Sequence, residues 1–194
     1  MSQQGSVLVT GGARSGKSSF AEKLCMKRAD SGMYVATAQA YDDEMRERIR
    51  IHQDRRHDSA YAWETVEEPV ALPELLDTLG EGESRSNAPA VVVDCLTLWL
   101  SNVLLQAEPE GTAAMEERLR LQIGRLARAV QIYPGMIILV TNEVGSGIVP
   151  EYPLGRIYRD WAGIMNQRLA EVCDEVFVVT AGIPMEIKSR EYLI

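Results

Sequence analysis

The 194-residue chain carries 28 acidic against 20 basic side chains, a net charge of −8, with 46% hydrophobic and 25% charged residues. That balance suits one substantial apolar core, so a single nucleotide-binding catalytic domain is expected over residues 1–194. It argues against a nucleic-acid binder, which needs excess cations to neutralise phosphates, and no apolar run approaches the ~20 residues of a membrane span.

The opening Met1-Ser2-Gln3-Gln4-Gly5 has neither the charge nor the apolar segment of a signal peptide. The apolar run Val7–Thr10 then leads straight into Gly11, Gly12, Ala13, Arg14, Ser15, Gly16, Lys17 and Ser18, which fits G-x-x-x-x-G-K-[ST]. The glycines let the backbone turn tightly enough for successive N–H groups to face phosphate oxygens, and the following helix adds its dipole. Lys17 is expected to reach the β- and γ-phosphates and the Ser18 hydroxyl to hold Mg²⁺. Phe20, Ala21, Leu24 and Cys25 give the helix after the loop an apolar face.

A second strand-like run, Met33–Thr37, leads to a charged helical segment over Asp42–Arg56, with acids first and bases last, as the helix dipole favours. Arg46, Arg48, Arg50, Arg55 and Arg56 make a local positive field suited to a polyphosphate. Met45, Ile49 and His52 fall at i, i+4 and i+7, which turns His52 inward. A histidine so placed is ordinarily packed and hydrogen-bonded, and it is also a recurrent nucleophile.

The third run, Val91–Cys95, contains Asp94 after three valines. A carboxylate at a strand end opposite a phosphate loop is the arrangement that holds Mg²⁺, with helix N-capping as the alternative. A fourth run, Met136–Thr141, precedes Asn142 and Glu143, where Glu143 is either a group that orients a nucleophile or an ordinary loop acid. The fifth run is Val176–Thr180. Between the runs lie helical stripes, Met115, Leu119, Ile123, Leu126 and Val130, then Ile157, Trp161, Ile164 and Leu169. Gly80–Pro89 and Gln106–Thr112 mix Gly, Pro and charge without period and read as mobile surface loops. Cys25, Cys95 and Cys173, odd in number and set in apolar segments, read as reduced core thiols of a cytoplasmic protein. Short strands alternating with helices predict an α/β fold, a mostly parallel sheet with helices on both faces and its functional loops at the C-terminal edge.

With these residues collected, the chain resembles the bifunctional adenosylcobinamide kinase / adenosylcobinamide-phosphate guanylyltransferase family of cobalamin biosynthesis. The likeness spans nearly the whole length. It rests on GGARSGKS at Gly11–Ser18, YVATA at Tyr34–Ala38, DDEMRERIRIHQDRR at Asp42–Arg56, DCLTLWLSN at Asp94–Asn102, TNEVGSGIVP at Thr141–Pro150 and RDWAGIMNQRLA at Arg159–Ala170. The resemblance implies a RecA-like P-loop NTPase fold, a homotrimer with GTP bound partly at the subunit boundary, and GTP or ATP as phosphoryl donor with Mg²⁺. Adenosylcobinamide and its phosphate are the implied substrates. The His of the R-I-x-x-H block, His52 here, is implied to be the nucleophile that takes GMP.

By the same resemblance Gly11–Ser18 hold the triphosphate and Ala36, Thr37 and Ala38 line the nucleotide site. Gln53, Asp54, Arg55, Arg56 and Glu67 contact the guanine nucleotide, and Asp94 serves Mg²⁺. The family can carry Glu at that last position, and the shorter Asp94 leaves room for a water between carboxylate and metal. Where some members have two adjacent histidines, Ile51 precedes His52, which leaves one candidate in the block. Two other readings stand beside this one. The first is a monofunctional P-loop kinase of another small alcohol, with His52 structural. The second is a GTP switch, although no N-K-x-D guanine reader is present and D-x-x-G occurs only at Asp77–Gly80, ending an apolar helical segment.

Overall fold

A computed structural model describes residues 5–39, 60–83 and 87–192. Seven strands, β1 (Ser6–Gly11), β2 (Ser31–Ala36), β3 (Ala62–Glu67), β4 (Val91–Asp94), β5 (Ile137–Val140), β6 (Glu175–Thr180) and β7 (Ile183–Glu186), form one sheet in the order β3-β2-β4-β5-β1-β6-β7. All neighbours are parallel except β6 and β7, which pair as an antiparallel hairpin. The five apolar runs are all strands of this sheet. Its two edge strands, β3 and β7, are additions the sequence reading did not contain.

Alternating side chains along the strands divide the core in two. Val7, Val9, Val92, Ile138 and Val140 face helix α1 (Lys17–Arg28), which contributes Ala21, Leu24 and Cys25. Leu8, Val35, Val91, Val93, Ile137 and Leu139 face a thicker layer built from α2 (Leu72–Gly80), α3 (Leu96–Ala107), α4 (Thr112–Ile132) and α5 (Pro153–Val172). Helices therefore cover both faces, as the short, largely apolar central strands require.

The stripe Met115, Leu119, Ile123, Leu126 and Val130 is buried along α4. In α5 three residues of the expected stripe face the core, Leu169 buried and Ile157 and Trp161 partly buried against it, while Ile164 is 46% exposed and Ala162 and Met165 are buried beside it. The inward face of that helix is carried by small Gly155 and Ala162 as well as by large residues, so reading only the large apolar ones takes in Ile164 and misses them. Gln106–Thr112 is not the loop its composition suggests either. Gln106 and Ala107 end α3, Glu108–Glu110 form a 3-10 turn and Thr112 opens α4, with only Gly111 (φ 88°) between them. Gly80 closes α2, so Asp77–Gly80 is helix and cannot serve as a strand-end switch element. The three cysteines are free and buried. Among the described residues no helix is long and apolar enough to cross a membrane.

Two side chains of α3 tie the helical layer to the sheet's functional edge. Trp99, fully buried, donates its indole N–H to Val70 O at 2.8 Å, and Asn102 Nδ2 donates to both Thr37 O and Pro69 O at 2.9 Å. Replacing Trp99 by Phe strands the Val70 carbonyl and leaves a small void. We expect a loss of ~1–3 kcal/mol of unfolding free energy, read from urea denaturation midpoints at unchanged m-value.

Candidate functional site

The strand register sets out the site before any side chain is considered. Glu67 pairs with Ala36, Ala36 with Asp94, Asp94 with Val140 and Val140 with Val9. The C-terminal ends of five parallel strands thus form a single row, and the chain leaves β1 from that row into the glycine-rich loop. Glu67, Ala36 and Asp94, separated by many residues in sequence, sit side by side.

The loop is shaped by two glycines that no other residue replaces. A Cβ at Gly11 would lie 2.4 Å from the Val179 carbonyl oxygen of β6 and 2.7 Å from Ser15 Oγ. Gly16 caps α1 with a left-handed backbone (φ 99°), and a Cβ there would press on Gly182 Cα at 3.3 Å. Arg14 is also left-handed (φ 55°) and exposed. Ser15 N–H donates to Gly12 O at 3.3 Å and Gly182 N–H donates to Ser15 O at 2.8 Å, so the β6–β7 turn braces the loop from behind. The first turn of α1 contains no acid, which leaves its N-terminal N–H groups and dipole available to an anion.

Lys17, 8% exposed, donates from Nζ to Gly12 O at 3.1 Å and so folds over the loop it belongs to. Its cation lies where the phosphate chain is expected. Ser18 follows on the first turn of α1, half-buried. Asp94 is oriented from the side: Tyr34 donates its hydroxyl to Asp94 Oδ2 at 2.9 Å. Asp94 does not cap the next helix, for the N-cap of α3 is Cys95 and no side chain bonds that helix start. Tyr34 belongs to β2 and was not singled out in the sequence. A buried phenol two residues before the strand's end was the available signal.

Thr37 and Cys95 serve the framework. The Thr37 hydroxyl donates to Cys95 O at 2.7 Å and its N–H to Asp94 O at 3.3 Å, which locks the ends of β2 and β4 together. Ala36 and Ala38, half-buried, are the neighbours left to offer surface to a ligand. Burial, followed by the Asp94 charge, pushes the Cys95 thiol up to about 11. It stays protonated near neutrality and is no nucleophile.

Beyond β5, Glu143 reaches the same edge. Its N–H donates to Gly11 O at 3.2 Å, and its Oε1 accepts from Thr10 Oγ1 at 2.6 Å and from Asn166 Nδ2 at 3.2 Å. Asn166 also donates to Asn142 O at 3.1 Å and accepts the Thr141 hydroxyl at 2.7 Å. Asn142 in turn donates to Thr97 Oγ1 at 2.6 Å, and the Tyr158 phenol, pushed up to about 12 by burial, donates to Thr97 O at 3.0 Å. Thr10, Thr97, Tyr158 and Asn166 were not anticipated as site residues; Asn166 sits inside a helical apolar pattern that disguises it.

The chain's donor set suits Mg²⁺, a hard cation that takes few protein oxygens and completes its shell with water and phosphate. Ser18 Oγ and the Asp94 carboxylate are such oxygens. Among the described residues no cluster of three or more His, Cys, Asp or Glu could form an all-protein cage. His52 and Gln53–Arg56 lie outside the described residues.

A family model described as cobinamide kinase / cobinamide phosphate guanyltransferase matches residues 7–187. The bifunctional adenosylcobalamin biosynthesis protein CobP of Pseudomonas aeruginosa is 45% identical over 186 residues, covering 94% of this chain and 97% of its own. The corresponding protein CobU of Salmonella typhimurium is 44% identical over 188 residues, covering 94% and 99%. Among solved structures, an ATPase from the type III secretion system of pathogenic bacteria is similar with a TM-score of 0.50 over 98% of this chain and 59% of its own, at 12% identity. That likeness is one of fold, and the fold is the RecA-like P-loop type.

Replacing Lys17 by Ala should weaken GTP binding ~10-fold or more in a protein that still melts cooperatively, because a charge-assisted phosphate contact is lost from a loop whose shape rests on glycines. Calorimetric titration with GTP measures it, and unchanged affinity would refute the phosphate-binding role.

Proposed function

Because the chain belongs to the cobinamide kinase / cobinamide phosphate guanyltransferase family, we propose that it performs both reactions at the one sheet edge described above. The observation that carries this reading is the row Glu67–Ala36–Asp94, which shares the C-terminal edge of the sheet with the glycine-rich loop.

In the first reaction the terminal phosphoryl group of a nucleoside triphosphate passes to the aminopropanol hydroxyl of adenosylcobinamide. The loop N–H groups and the α1 dipole receive the phosphate oxygens, and Lys17 swings from Gly12 O to the charge that spreads over the transferring group. Ser18 and Asp94 would hold Mg²⁺, whose chemistry when bound is to draw negative charge from the phosphate oxygens. Tyr34 keeps Asp94 aimed, and Glu67 at the outer end of the row suits a contact to the nucleoside, with Gln53, Asp54, Arg55 and Arg56 joining it.

In the second reaction a neutral His52 nitrogen attacks the α-phosphorus of GTP, a P–N bond forms, pyrophosphate leaves and the imidazole proton passes to solvent. The phosphate oxygen of adenosylcobinamide phosphate then attacks that phosphorus, the P–N bond breaks as the imidazole regains a proton from solvent, and the GMP unit is transferred. Covalent catalysis divides one hard displacement into two and keeps the nucleotide tethered between them.

Two outcomes test this reading. Protein incubated with α-labelled GTP and Mg²⁺ should retain label that survives alkali and is released by acid, whereas γ-labelled GTP should leave none. His52→Ala should lose the adduct and the guanylyl transfer yet keep part of the kinase turnover, and label on His57 or a lysine would refute the assignment. Replacing Asp94 by Asn keeps shape and removes charge, so the Mg²⁺ concentration for half-maximal rate should rise in both reactions. An unshifted Mg²⁺ curve would remove Asp94 from the metal's shell.

A further inference from the structure

The two reactions make different demands on a proton. The first uses an alcohol, which must lose its proton as the new O–P bond forms. The second uses a phosphate monoester, whose attacking oxygen is already ionised near neutrality. A base is needed for one and not for the other, and nothing said so far of Lys17, Asp94 or His52 supplies it.

We propose that Glu143 is the general base of the kinase reaction, an assignment that rests on the bifunctional reading above. Its backbone N–H bond to Gly11 O, 3.2 Å, sets it against the first residue of the phosphate loop, on the segment that leaves β5 between the loop strand and the Asp94 strand. Its side chain is held by one oxygen alone. Thr10 Oγ1 and Asn166 Nδ2 both donate to Oε1, at 2.6 and 3.2 Å, and among the described residues Oε2 accepts no hydrogen bond. The anchoring amide cannot flip without loss, because Asn166 Oδ1 accepts the Thr141 hydroxyl at 2.7 Å while Nδ2 also serves Asn142 O at 3.1 Å. Glu175, by contrast, binds Arg28 through both oxygens, as a framework carboxylate does.

An exposed carboxylate beside a triphosphate cradle opposes anion binding through like charge. Beside its bracing bonds, such a group can serve there as a ligand for a cation or an acceptor of a proton. Asp94, steered by Tyr34, fills the first role on the neighbouring strand. Glu143 fills the second: the hydroxyl proton moves to Oε2 while the hydroxyl oxygen bonds to the γ-phosphorus. The bond from that phosphorus to the β–γ bridging oxygen breaks, the nucleoside diphosphate leaves, and solvent then takes the proton from Glu143.

Glu143→Gln preserves the Thr10 bond through the amide oxygen and removes the basic site. Kinase kcat should fall ~100-fold with little change in KM, and the residual rate should climb with pH where the wild-type rate is level. The His-GMP adduct and guanylyl transfer to the phosphorylated substrate should stay close to wild type, as should the Mg²⁺ curve. Glu143→Ala should regain kinase turnover with added formate. Kinase turnover retained in Glu143→Gln, equal loss of both reactions, a shifted Mg²⁺ curve, or no recovery with formate would each overturn the assignment. A wild-type protein without kinase turnover would overturn the bifunctional reading itself and this assignment with it.

Discussion

Everything at the functional edge depends on where five parallel strands stop. Parallel pairing fixes neighbours by slanted, evenly spaced hydrogen bonds, so a shift of one residue in any strand would turn its side chains to the opposite face and move its end out of line. The register that buries Val35, Val93, Leu139 and Leu8 on one face is the register that aligns Glu67, Ala36, Asp94 and the residue before Thr10. Core packing and site assembly are therefore one constraint. The site needs no cost in stability to bring its distant residues together, because the apolar strands already bring them there.

What the register cannot do is aim side chains, and that falls to a second tier of polar contacts buried behind the edge. Tyr34 sets Asp94, Thr37 ties the ends of β2 and β4, and Asn102 and Trp99 anchor the helical layer to the segments leaving β2 and β3. Thr10 and Asn166 set Glu143. Tyr34, Thr37, Trp99, Asn102 and Thr10 are buried polar groups, tolerable there only when bonded, so each has one favoured arrangement. A rigid rear wall of this kind suits phosphate chemistry, in which the protein contributes chiefly position and electrostatics.

How far the sequence disclosed this follows from which forces act locally. The phosphate loop and the strands β1, β2, β4, β5 and β6 were legible because glycine spacing and continuous apolar runs are local signals, and the α4 stripe was legible because a large apolar residue faces inward at every turn. Strand β3 was not, since an edge strand covered by little has mixed exposure, and Trp63 and Val66 alternate with Glu64, Thr65 and Glu67 without a clean period. Strand β7 contains Pro184, tolerated because the strand lies at the sheet's other edge, and Pro argues against a strand when only sequence is seen. Tyr34, Thr10 and Asn166 were hidden for a different reason. Their importance is a matter of what they touch across 60, 133 and 23 residues of chain, and no composition or spacing rule reports such pairs.

The same geometry bears on the proposal that one edge hosts two transfers that differ in the phosphorus attacked. A loop that binds a triphosphate through backbone N–H groups recognises the charge and spacing of the chain of phosphates, not the identity of the reacting phosphorus. Selection between the α- and γ-positions must then come from where the nucleophile stands. Glu143 follows β5 beside the loop strand, whereas the chain leaves the end of β2 on the other side of the Asp94 strand. The division of labour proposed for His52 and Glu143 then follows from strand order, since the strands that precede them, β2 and β5, lie on either side of the Asp94 strand.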